Sequence, residues 1–485
     1  MDNMPEMIDG FPNISGNEEA VYAATTAKAN EPVYSDTPYN FNNVKSAVAA
    51  ALHMHQPLIP AGGDDLQTAE IISNLKYMFE HQGIGDNHNA GPFKDCYQRL
   101  GRMIPELVNE GKEPRIMVEY TGTLLYGLRQ MGANDVFDLL KPLTVDRRYQ
   151  RAVEWLGSPW GHAVAPSTPV QDYKLHVRAW QHHFASIFGL DALSRVKGFS
   201  PSEMALPNQP DVAYEFVKTL RDCGYRWVLV QEHTVETPEG NGPQMKHIPH
   251  RLVCRNSKGE SAEIVAFIKT QGSDTKLVAQ MQPYYEAKGL DHITLAGKSI
   301  PQIVTQIADG ENGGVMMNEF PPKYMEVMRE SSGSNTVPMN CTEYLELLEA
   351  QGITISDLPV IQPIKQHFIW ERMKGGEGPD KLNEVINELS KEMYDFNMEG
   401  GSWTNNISWV KGYENVLGPM ERASSLFNEK VIKAGIPTSD PRYRKALFFL
   451  MSSQTSCYRY WGQGIWTDYG KEISRRATAV LEHDF

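Results

Sequence analysis

Short apolar runs recur along most of the chain, and segments with helical spacing separate them. The runs are VKSAVAAALHMHQP from Val44, RIMVEY (115–120), RAVEWL (151–156), RVKGF (195–199), YRWVLV (225–230), EIVAFI (263–268), QIVTQIA (302–308) and LPVIQPI (358–364). Continuous apolar runs of this length are typical of strands that are buried on both faces of a parallel sheet. Their alternation with helices predicts the α/β class, and about seven or eight successive β/α units favour a closed barrel over an open sheet.

One intervening helix shows its apolar face in the sequence. Between positions 171 and 188, apolar residues recur at steps of three and four, namely at Tyr173, Val177, Trp180, Phe184 and Ile187. This spacing puts them on one side of an α-helix. We therefore expect a helix that packs its apolar side on the sheet.

The two ends of the chain differ from its centre. Before position 41 there are seven acidic residues and one basic residue, Lys28, which predicts an acidic, flexible or surface-draped leader over residues 1–45. After about position 372 the strand pattern fades, and KLNEVINELSKEMYDF, GPMERASSLFNEKVIKAG and RYRKALFFLMSS have helical spacing. The sequence therefore predicts a catalytic barrel over 46–372 and an α-helical domain over 373–485, with the Gly-rich KGGEGPD near their boundary.

Composition and charge narrow the possible partners. Hydrophobic residues make up 41% of the 485 residues and charged residues 22%, as in ordinary globular proteins. The net charge of −14 disfavours nucleic acid, because affinity for nucleic acid comes mainly from neutralising phosphates. An apolar stretch of about 18 residues and an export signal are both missing from the sequence, so we expect no membrane span. Five scattered cysteines without CxxC spacing suit a reducing, cytoplasmic location.

The end of the first predicted strand carries the segment HMHQP. His53 and His55 are two residues apart, so both imidazoles point to the same side of the strand. With Gln56 they offer several hydrogen-bond donors and acceptors at the C-terminal mouth of the barrel, a set that suits sugar hydroxyls. Two other interpretations stay open: histidines that are satisfied by backbone groups, and a metal site, because His-x-His is a common ligand pair.

Two acidic residues follow later strands. Glu203 comes just after a short strand and a Pro-containing turn, and Asp309 ends the run QIVTQIAD before Gly310. Each could be an ordinary loop residue, an exposed Glu in the first case and an Asp-Gly turn in the second. Cleavage of a glycosidic bond through a covalent intermediate needs two carboxyl groups on opposite sides of the bond, and two strand ends of one barrel can present them.

Aromatic residues are dense near the C-terminus. The stretch CYRYWGQGIWTDYG contains Trp461 and Trp466, and GGSWTNNISW upstream contains Trp403 and Trp409. Aromatic faces stack on the apolar faces of pyranose rings. Core packing of the helical domain explains any one of these residues equally well, but the interleaved Gly, Gln, Asn and Thr favour a hydrated surface.

Together these segments resemble glycoside hydrolase family 57 over most of the chain, from about position 47 to 479. HMHQP resembles the first motif of that family, GFSPSEMA (198–205) its nucleophile motif, and ADGENGG (308–314) the motif with its acid/base Asp and a nearby Glu. VEYTGTLL, LGSPWGHAVAP and FLMSSQTSCYRYWGQG resemble further segments of the family. The chain departs from the family pattern where Phe199 stands in place of a frequent Trp and Gln231 in place of a frequent Asp.

The resemblance implies an incomplete (β/α)7 barrel with an appended C-terminal α-helical domain that contributes to the substrate cleft. It implies Glu203 as nucleophile and Asp309 as general acid/base of a retaining hydrolase or transglycosylase on α-glucan, of the α-amylase or 4-α-glucanotransferase type. It implies no metal and no cofactor. The residues expected to bind the sugar are His53, His55, Gln56, His162, Glu311, Trp461 and Trp466.

Two other classes of function remain open at this point. One is a metal-dependent polysaccharide hydrolase or deacetylase, because such enzymes use related barrels with His and Asp ligands. The other is a non-catalytic glucan-binding protein that keeps the groove. In each case the expected partner is an oligo- or polysaccharide.

Overall fold

The computed structural model describes residues 4–270, 274–402 and 409–485. At the centre of this described chain, seven parallel strands form a closed ring, which confirms the predicted α/β barrel. In chain order they are β1 (Ser46–Met54), β2 (Ile116–Tyr120), β3 (Val153–Gly157), β4 (Gly198–Phe199), β5 (Trp227–Gln231), β6 (Ser261–Lys269) and β7 (Gln302–Asp309). Each strand pairs with the next, and β7 pairs with β1 to close the ring. The ring is therefore one β/α unit short of the common eight-unit barrel.

The pairing register brings the C-terminal ends of the strands to one rim. His53 of β1 pairs with Glu119 of β2 on one side and with Asp309 of β7 on the other. Further around the ring, Gln231 of β5 is opposite Lys269 of β6. Below these polar ends the strands are largely apolar and, apart from the starts of β6 and β7, buried on both faces, as is typical of parallel barrel strands. The rim where barrel enzymes carry their sites thus holds polar and charged side chains.

The run LPVIQPI forms a strand that lies outside the ring. Val360–Pro363 pairs in parallel with His250–Arg255, which is itself the antiparallel neighbour of β6. The run is therefore a strand, as its apolar pattern indicates, but it extends the sheet beside the barrel. The remaining short strands are Met7–Ile8 with Phe11–Pro12, Leu58–Gly62 with Glu70–Ser73, Val235–Glu236, Ile293–Leu295 with Lys298–Ile300, and Thr336–Pro338.

Helices cover the outside of the ring. Val170–Phe188 buries all five of the apolar residues that the sequence places on one face, and Nε1 of Trp180 donates a hydrogen bond to the backbone carbonyl of Tyr120 at 2.8 Å. This bond attaches the helix to the C-terminal end of β2. Further helices of this region are Asn74–Glu80, Ala90–Gln98, Leu100–Asn109, Gly122–Gln130, Asn134–Val145, Leu190–Ser194, Pro210–Asp222, Thr275–Ala279, Gln282–Lys288, Phe320–Ser331, Cys341–Ala350 and Gln366–Trp370.

Residues 4–45 pack against the barrel, as a surface-draped rather than a flexible leader. The apolar side chains of Ile14, Val21 and Phe41 are buried, and the segment includes a short helix. Two consecutive backbone N–H groups of the leader also donate to the Glu346 carboxylate, at 2.6 and 2.7 Å. The many acidic residues dominate the composition of the segment, so the few apolar side chains are not evident from the composition. Burial of these side chains and the hydrogen bonds hold the segment on the surface of the barrel.

The described C-terminal region is helical, as the sequence indicates. The Tyr458 hydroxyl donates to the backbone carbonyl of Leu58 at 2.5 Å, so this region contacts the hairpin that follows β1. Trp403 lies outside the described residues. Among the helices that are described, none combines the length and the apolar character required to cross a bilayer. The helices are Pro379–Glu392, Glu414–Phe427, Pro441–Ser453, Cys457–Tyr460 and Ile465–His483.

A buried ion pair joins the base of β2 to the leader and to a barrel helix. Nε and Nη2 of Arg115 donate to the two carboxylate oxygens of Glu343 at 2.9 and 3.1 Å. The hydroxyl of Thr37 in the leader donates to the same carboxylate at 2.6 Å. Both charged side chains are almost completely buried, so neither can be hydrated if the other is removed.

We expect Arg115→Met to lower the free energy of unfolding by about 3–5 kcal/mol, because it leaves the Glu343 carboxylate buried without its cation. Denaturant unfolding followed by circular dichroism would measure the change. The matched control is Arg102→Met, since Arg102 and Asp95 form a pair that is about half exposed on both sides and contributes at most about 1 kcal/mol. Equal losses in the two variants would contradict this assignment.

Candidate active site

A line of side chains crosses the rim of the barrel. The Glu119 carboxylate accepts hydrogen bonds from Nδ1 of His53 and from the Ser158 hydroxyl. Nε2 of His53 lies 3.1 Å from Nε2 of His162, which in turn lies 3.5 Å from a carboxylate oxygen of Glu203. All of these side chains are buried. The fold therefore brings together three predicted site residues, His53, His162 and Glu203, from distant parts of the sequence.

His53 carries a positive charge at neutral pH. Burial opposes protonation, but the charge and the hydrogen bond of Glu119, with smaller contributions from two nearby acidic groups, raise the pKa of His53 to about 10. Burial and the neighbouring imidazoles hold the pKa of His162 well below its ordinary value, so His162 is neutral. His53 therefore donates from Nε2 to Nε2 of His162, and His162 donates from Nδ1 to the Ser456 hydroxyl at 2.7 Å.

Asp309 and Glu311 lie beside the His53 imidazolium at the end of β7. Burial raises the pKa of the Asp309 carboxyl, and the Glu119 charge adds to the rise while His53 opposes it. Burial also raises the pKa of Glu311, to about 8. One Glu311 oxygen accepts a hydrogen bond from the backbone N–H of His55 at 3.1 Å, and the other has no hydrogen-bond partner among the described residues. Glu311 thus keeps its proton at neutral pH, and Asp309 is shifted in the same direction.

Glu203 occupies an unusual backbone position. It lies in the short 3-10 turn Ser202–Met204 after β4, with φ 60° and ψ 18°, and the following Met204 has φ 51°. His162, which contacts the Glu203 carboxylate, also has a positive φ of 55°. Residues other than glycine rarely adopt this left-handed region, at a cost of about 1–3 kcal/mol each, and such strain concentrates at functional sites. The surrounding packing therefore holds this carboxylate and its neighbour against their local preference.

His55 stacks on His162 and has partners of its own. The two rings are 3.9 Å apart at an interplanar angle of 10°. Nδ1 of His55 lies 2.8 Å from the Thr121 hydroxyl, and Nε2 lies 3.3 Å from Sγ of Cys457. Burial and the charge of His53 hold the pKa of His55 well below its ordinary value. The stacked pair is therefore composed of two neutral imidazoles.

His55, His162 and Cys457 are the one group of possible metal ligands among the described residues, with ligand atoms within 4.8 Å of one another. An imidazole coordinates a metal ion along a lone pair that lies in the plane of the ring. Because the two imidazole rings are stacked and nearly parallel, one ion cannot lie in both planes. His162 also uses its two nitrogens for contacts with Ser456 and His53. The arrangement is that of stacked imidazoles, and a metal centre here would require the rings to rotate.

Gln56 is held by protein groups. Its amide nitrogen donates to the Tyr97 hydroxyl at 2.9 Å, and its amide oxygen accepts from the Asn74 side chain at 3.0 Å. Both ends of the amide are thus engaged, which fixes the loop after β1. A direct contact of Gln56 with a sugar stays a prediction.

The C-terminal region brings aromatic rings to the rim. Tyr460 ends the short helix Cys457–Tyr460, whose Cys457 Sγ lies 3.3 Å from Nε2 of His55. Burial raises the pKa of the Tyr460 phenol to about 12, and the charges of Glu203 and Asp309 both add to the rise. The ring of Trp461, a residue that is 60% exposed, is centred 5.2 Å from that of Tyr460. Trp466 follows, with its ring centre 6.2 Å from that of Trp461. The two tryptophans that were expected to stack on sugar thus continue outward from the carboxyl groups.

Sequence reasoning does not identify Glu119 and Lys269, although both end at the rim. Glu119 lies inside the apolar run RIMVEY, and Lys269 directly follows EIVAFI. Lys269 is 6% exposed, and burial lowers its pKa to about 8. Both residues could have been identified as charged residues at the ends of otherwise apolar strands, because a barrel places its functional groups at those ends.

Parallel barrels that hold two carboxyl groups beside exposed aromatic rings are typical of carbohydrate-active proteins. The chain belongs to glycosyl hydrolase family 57, whose family model matches residues 49–354. The matched range contains β2 to β7 and most of β1. No curated protein sequence gives a significant match to the chain.

Solved structures share the fold. The chain is similar to 4-α-glucanotransferase from Thermococcus litoralis with a TM-score of 0.57 and 15% identity, over 91% of this chain and 60% of that enzyme. The chain thus spans about three fifths of the length of this relative. A family 57 branching enzyme from Thermococcus kodakaraensis gives a TM-score of 0.49 and 12% identity over 91% of this chain and 89% of that one. An exo-type maltose-forming amylase from Pyrococcus sp. ST04 gives 0.49 and 12% over 90% and 72%.

We expect Glu119→Gln to lower the pKa of His53 from about 10 to below its ordinary value of 6.5, because burial is then no longer outweighed by a neighbouring charge. NMR titration of the His53 ring would measure the shift. In the unchanged protein this pair stabilises the fold fully below pH 6.5, and the stabilisation is lost as the pH rises through 10. Ser158→Ala is the control, since it removes a neighbour of Glu119 and leaves the charge. A His53 pKa that is unaltered in Glu119→Gln would refute the assignment.

Proposed function

We propose that the chain is a retaining glycoside hydrolase or transglycosylase that acts on α-glucan, chiefly at α-1,4 linkages. Glu203 is the nucleophile and Asp309 is the general acid/base. Membership of family 57 supports the reaction class, and the similarity to a 4-α-glucanotransferase supports the class of substrate.

The observation that carries the proposal is the common surroundings of Glu203 and Asp309. Both carboxyl groups influence the phenol of Tyr460. Asp309 also pairs with His53 in the strand register. Nε2 of His162 contacts both His53 and Glu203, and so connects them. Two carboxyl groups from the loop after β4 and from the end of β7 are therefore connected through the neighbouring imidazoles of His53 and His162.

The reaction proceeds in two displacements. Glu203 attacks the anomeric carbon while Asp309 gives its proton to the departing glycosidic oxygen, so that one C–O bond forms as the other breaks. Asp309 then removes a proton from water or from an acceptor hydroxyl, whose oxygen displaces Glu203 from the sugar. Two inversions at the same carbon give net retention.

The charges of the site suit these roles. A general acid must hold a proton near neutral pH, and burial raises the pKa of Asp309 in that direction. A nucleophile must be ionised, and the His53 imidazolium lies one ring beyond the neutral His162 that contacts Glu203. Trp461 and Trp466 offer their faces for stacking on sugar rings.

Incubation with maltoheptaose tests the reaction and its stereochemistry. We expect NMR to show products that keep the α configuration, and a crystal structure of an oligosaccharide complex to place the two carboxyl groups about 5–5.5 Å apart. Inverted products, with a separation of about 6.5–9.5 Å, would contradict the retaining mechanism. Longer products would show transfer, and shorter products alone would show hydrolysis.

Substitution of the two carboxyl groups tests the roles. We expect Glu203→Gln to reduce kcat by more than about 10³-fold and Asp309→Asn by about 10²–10⁴-fold, while the binding of oligosaccharide is kept, because each loses a reacting group but little volume. The matched control is Glu215→Gln on the exposed side of Pro210–Asp222, which should keep the full rate. A normal rate in Glu203→Gln would exclude Glu203 as the nucleophile.

Two outcomes would favour the other functions. Loss of activity after exhaustive chelation, with recovery on addition of zinc, would indicate a metal-dependent hydrolase. Tight binding of maltoheptaose without any product would indicate a non-catalytic glucan-binding protein. We expect full activity after chelation, because the proposed steps use carboxyl groups alone.

We further propose a cytoplasmic location and no role for nucleic acid. The five cysteines all lie in the described part of the chain, where they are buried and free, as in a reducing compartment. The net charge of −14 disfavours a polyanionic partner.

A further inference from the structure

A recess of about 490 Å³ lies beside the start of the C-terminal helix Ile465–His483. Its walls come from that helix, from the hairpin Leu58–Gly62 and Glu70–Ser73, and from the helix Asn74–Glu80. Its described lining includes none of the residues assigned above to catalysis or sugar binding. The volume is in the range of small-molecule binding sites, so the recess can take a ligand of one or a few sugar units.

A continuous path of aromatic rings connects the catalytic carboxyl groups to this recess. Ring centres are 5.2 Å apart from Tyr460 to Trp461, 6.2 Å from Trp461 to Trp466 and 5.6 Å from Trp466 to Tyr469. At one end, Tyr460 belongs to the short helix Cys457–Tyr460, which contacts His55 of the site through Cys457. At the other end, the mostly buried Tyr469 lines the recess. Ile465, which is 55% exposed, also lines the recess next to Trp466. A chain of pyranose rings that leaves the catalytic centre therefore passes exposed aromatic surface at Tyr460 and Trp461 and meets the recess at the exposed Ile465.

The lining of the recess suits a neutral, polyhydroxylated ligand. The ring of Tyr77, which stacks on His81, and the edge of the mostly buried Tyr469 provide aromatic surface. Asp64, Lys76 and Glu80 provide charged groups that bond to hydroxyls. The acidic side chains disfavour an anion, and the density of polar groups disfavours a purely apolar ligand. Sugars meet both conditions, because they carry hydroxyls at the edges of the ring and C–H groups on its faces.

The walls of the recess are held in place by contacts within the protein. Arg476 of the C-terminal helix donates to the backbone carbonyl of Leu66 between the hairpin strands at 2.9 Å. Tyr458 donates to the backbone carbonyl of Leu58 at 2.5 Å. The ring of Tyr77 stacks on that of His81 with centres 4.1 Å apart. A site whose walls are already ordered loses little entropy when it binds a ligand.

We propose that this recess is a distal subsite for glucose units of the same α-glucan chain whose bond is cleaved between Glu203 and Asp309. The aromatic path binds the units between the two places. The inference rests on the proposed function and adds that the binding of the substrate depends on the length of the glucan. A chain long enough to reach the recess binds more tightly, whereas a chain that ends before it gains nothing from these contacts.

The variant Gly63→Trp tests the subsite because it fills the recess. A Cβ atom at Gly63 would meet only Ala69, at 3.6 and 3.8 Å, which is ordinary van der Waals contact. We expect the ratio of kcat/KM for maltoheptaose or longer chains to kcat/KM for maltotriose to fall about tenfold, as for the loss of about one aromatic contact. Gly83→Trp is the matched control. Gly83 follows the helix Asn74–Glu80, which forms one wall of the recess, and a Cβ atom at Gly83 would have no atom from elsewhere in the chain within 4 Å. This control should keep the ratio of the unchanged protein.

Calorimetry gives a second measurement that does not depend on turnover. The Glu203→Gln protein should bind maltoheptaose more tightly than maltotriose, and addition of Gly63→Trp should remove most of that preference. An unaltered preference and an unaltered ratio of kcat/KM in the Gly63→Trp variants would overturn the distal subsite and leave the proposed function standing. Absence of α-glucan turnover by the unchanged protein would overturn the proposed function, and the subsite with it.

Discussion

The pairing of the His53 imidazolium with the Glu119 carboxylate determines the electrostatics of the whole rim. Burial alone would leave His53 neutral, and the adjacent carboxylate, with smaller contributions from Asp309 and Glu311, raises its pKa to about 10. His55 and His162, which are buried without such a carboxylate partner, have lowered pKa values. The resulting positive charge lies beside Asp309 and one ring away from Glu203. Because charges interact strongly where water is scarce, this one pair influences the protonation of each carboxyl group around it.

The barrel and the helical region depend on each other at this site. The parallel register places His53 between Glu119 and Asp309, but it does not orient the second imidazole. His162 sits in a left-handed backbone position, and its Nδ1 is held by the hydroxyl of Ser456. The helical region therefore orients the imidazole that contacts Glu203, in addition to providing aromatic rings. Such support explains how a strained backbone can persist at the rim.

The sequence predicts those parts of the molecule that have a strong local pattern. The barrel strands and the helix Val170–Phe188 follow from apolar runs and spacing, because burial imposes those patterns. The packing of residues 4–45 does not follow, since composition averages over a few apolar side chains in an acidic segment. Glu119 and Lys269 are also missed. In the sequence each is only a charged residue that interrupts or ends an apolar run, and the strand register is needed to show that it lies at the rim. Nothing local indicates the left-handed conformation of Glu203, which tertiary packing enforces.

The two carboxyl groups at the end of β7 are close enough for the charge of Asp309 to affect the protonation of Glu311. Glu311 is neutral at neutral pH, with a pKa of about 8, and the Asp309 charge is one of the causes of that rise. The pair therefore loses its protons in two steps, and the first loss makes the second more difficult. A site arranged in this way retains at least one of the two protons over a wider range of pH than an isolated aspartic acid could.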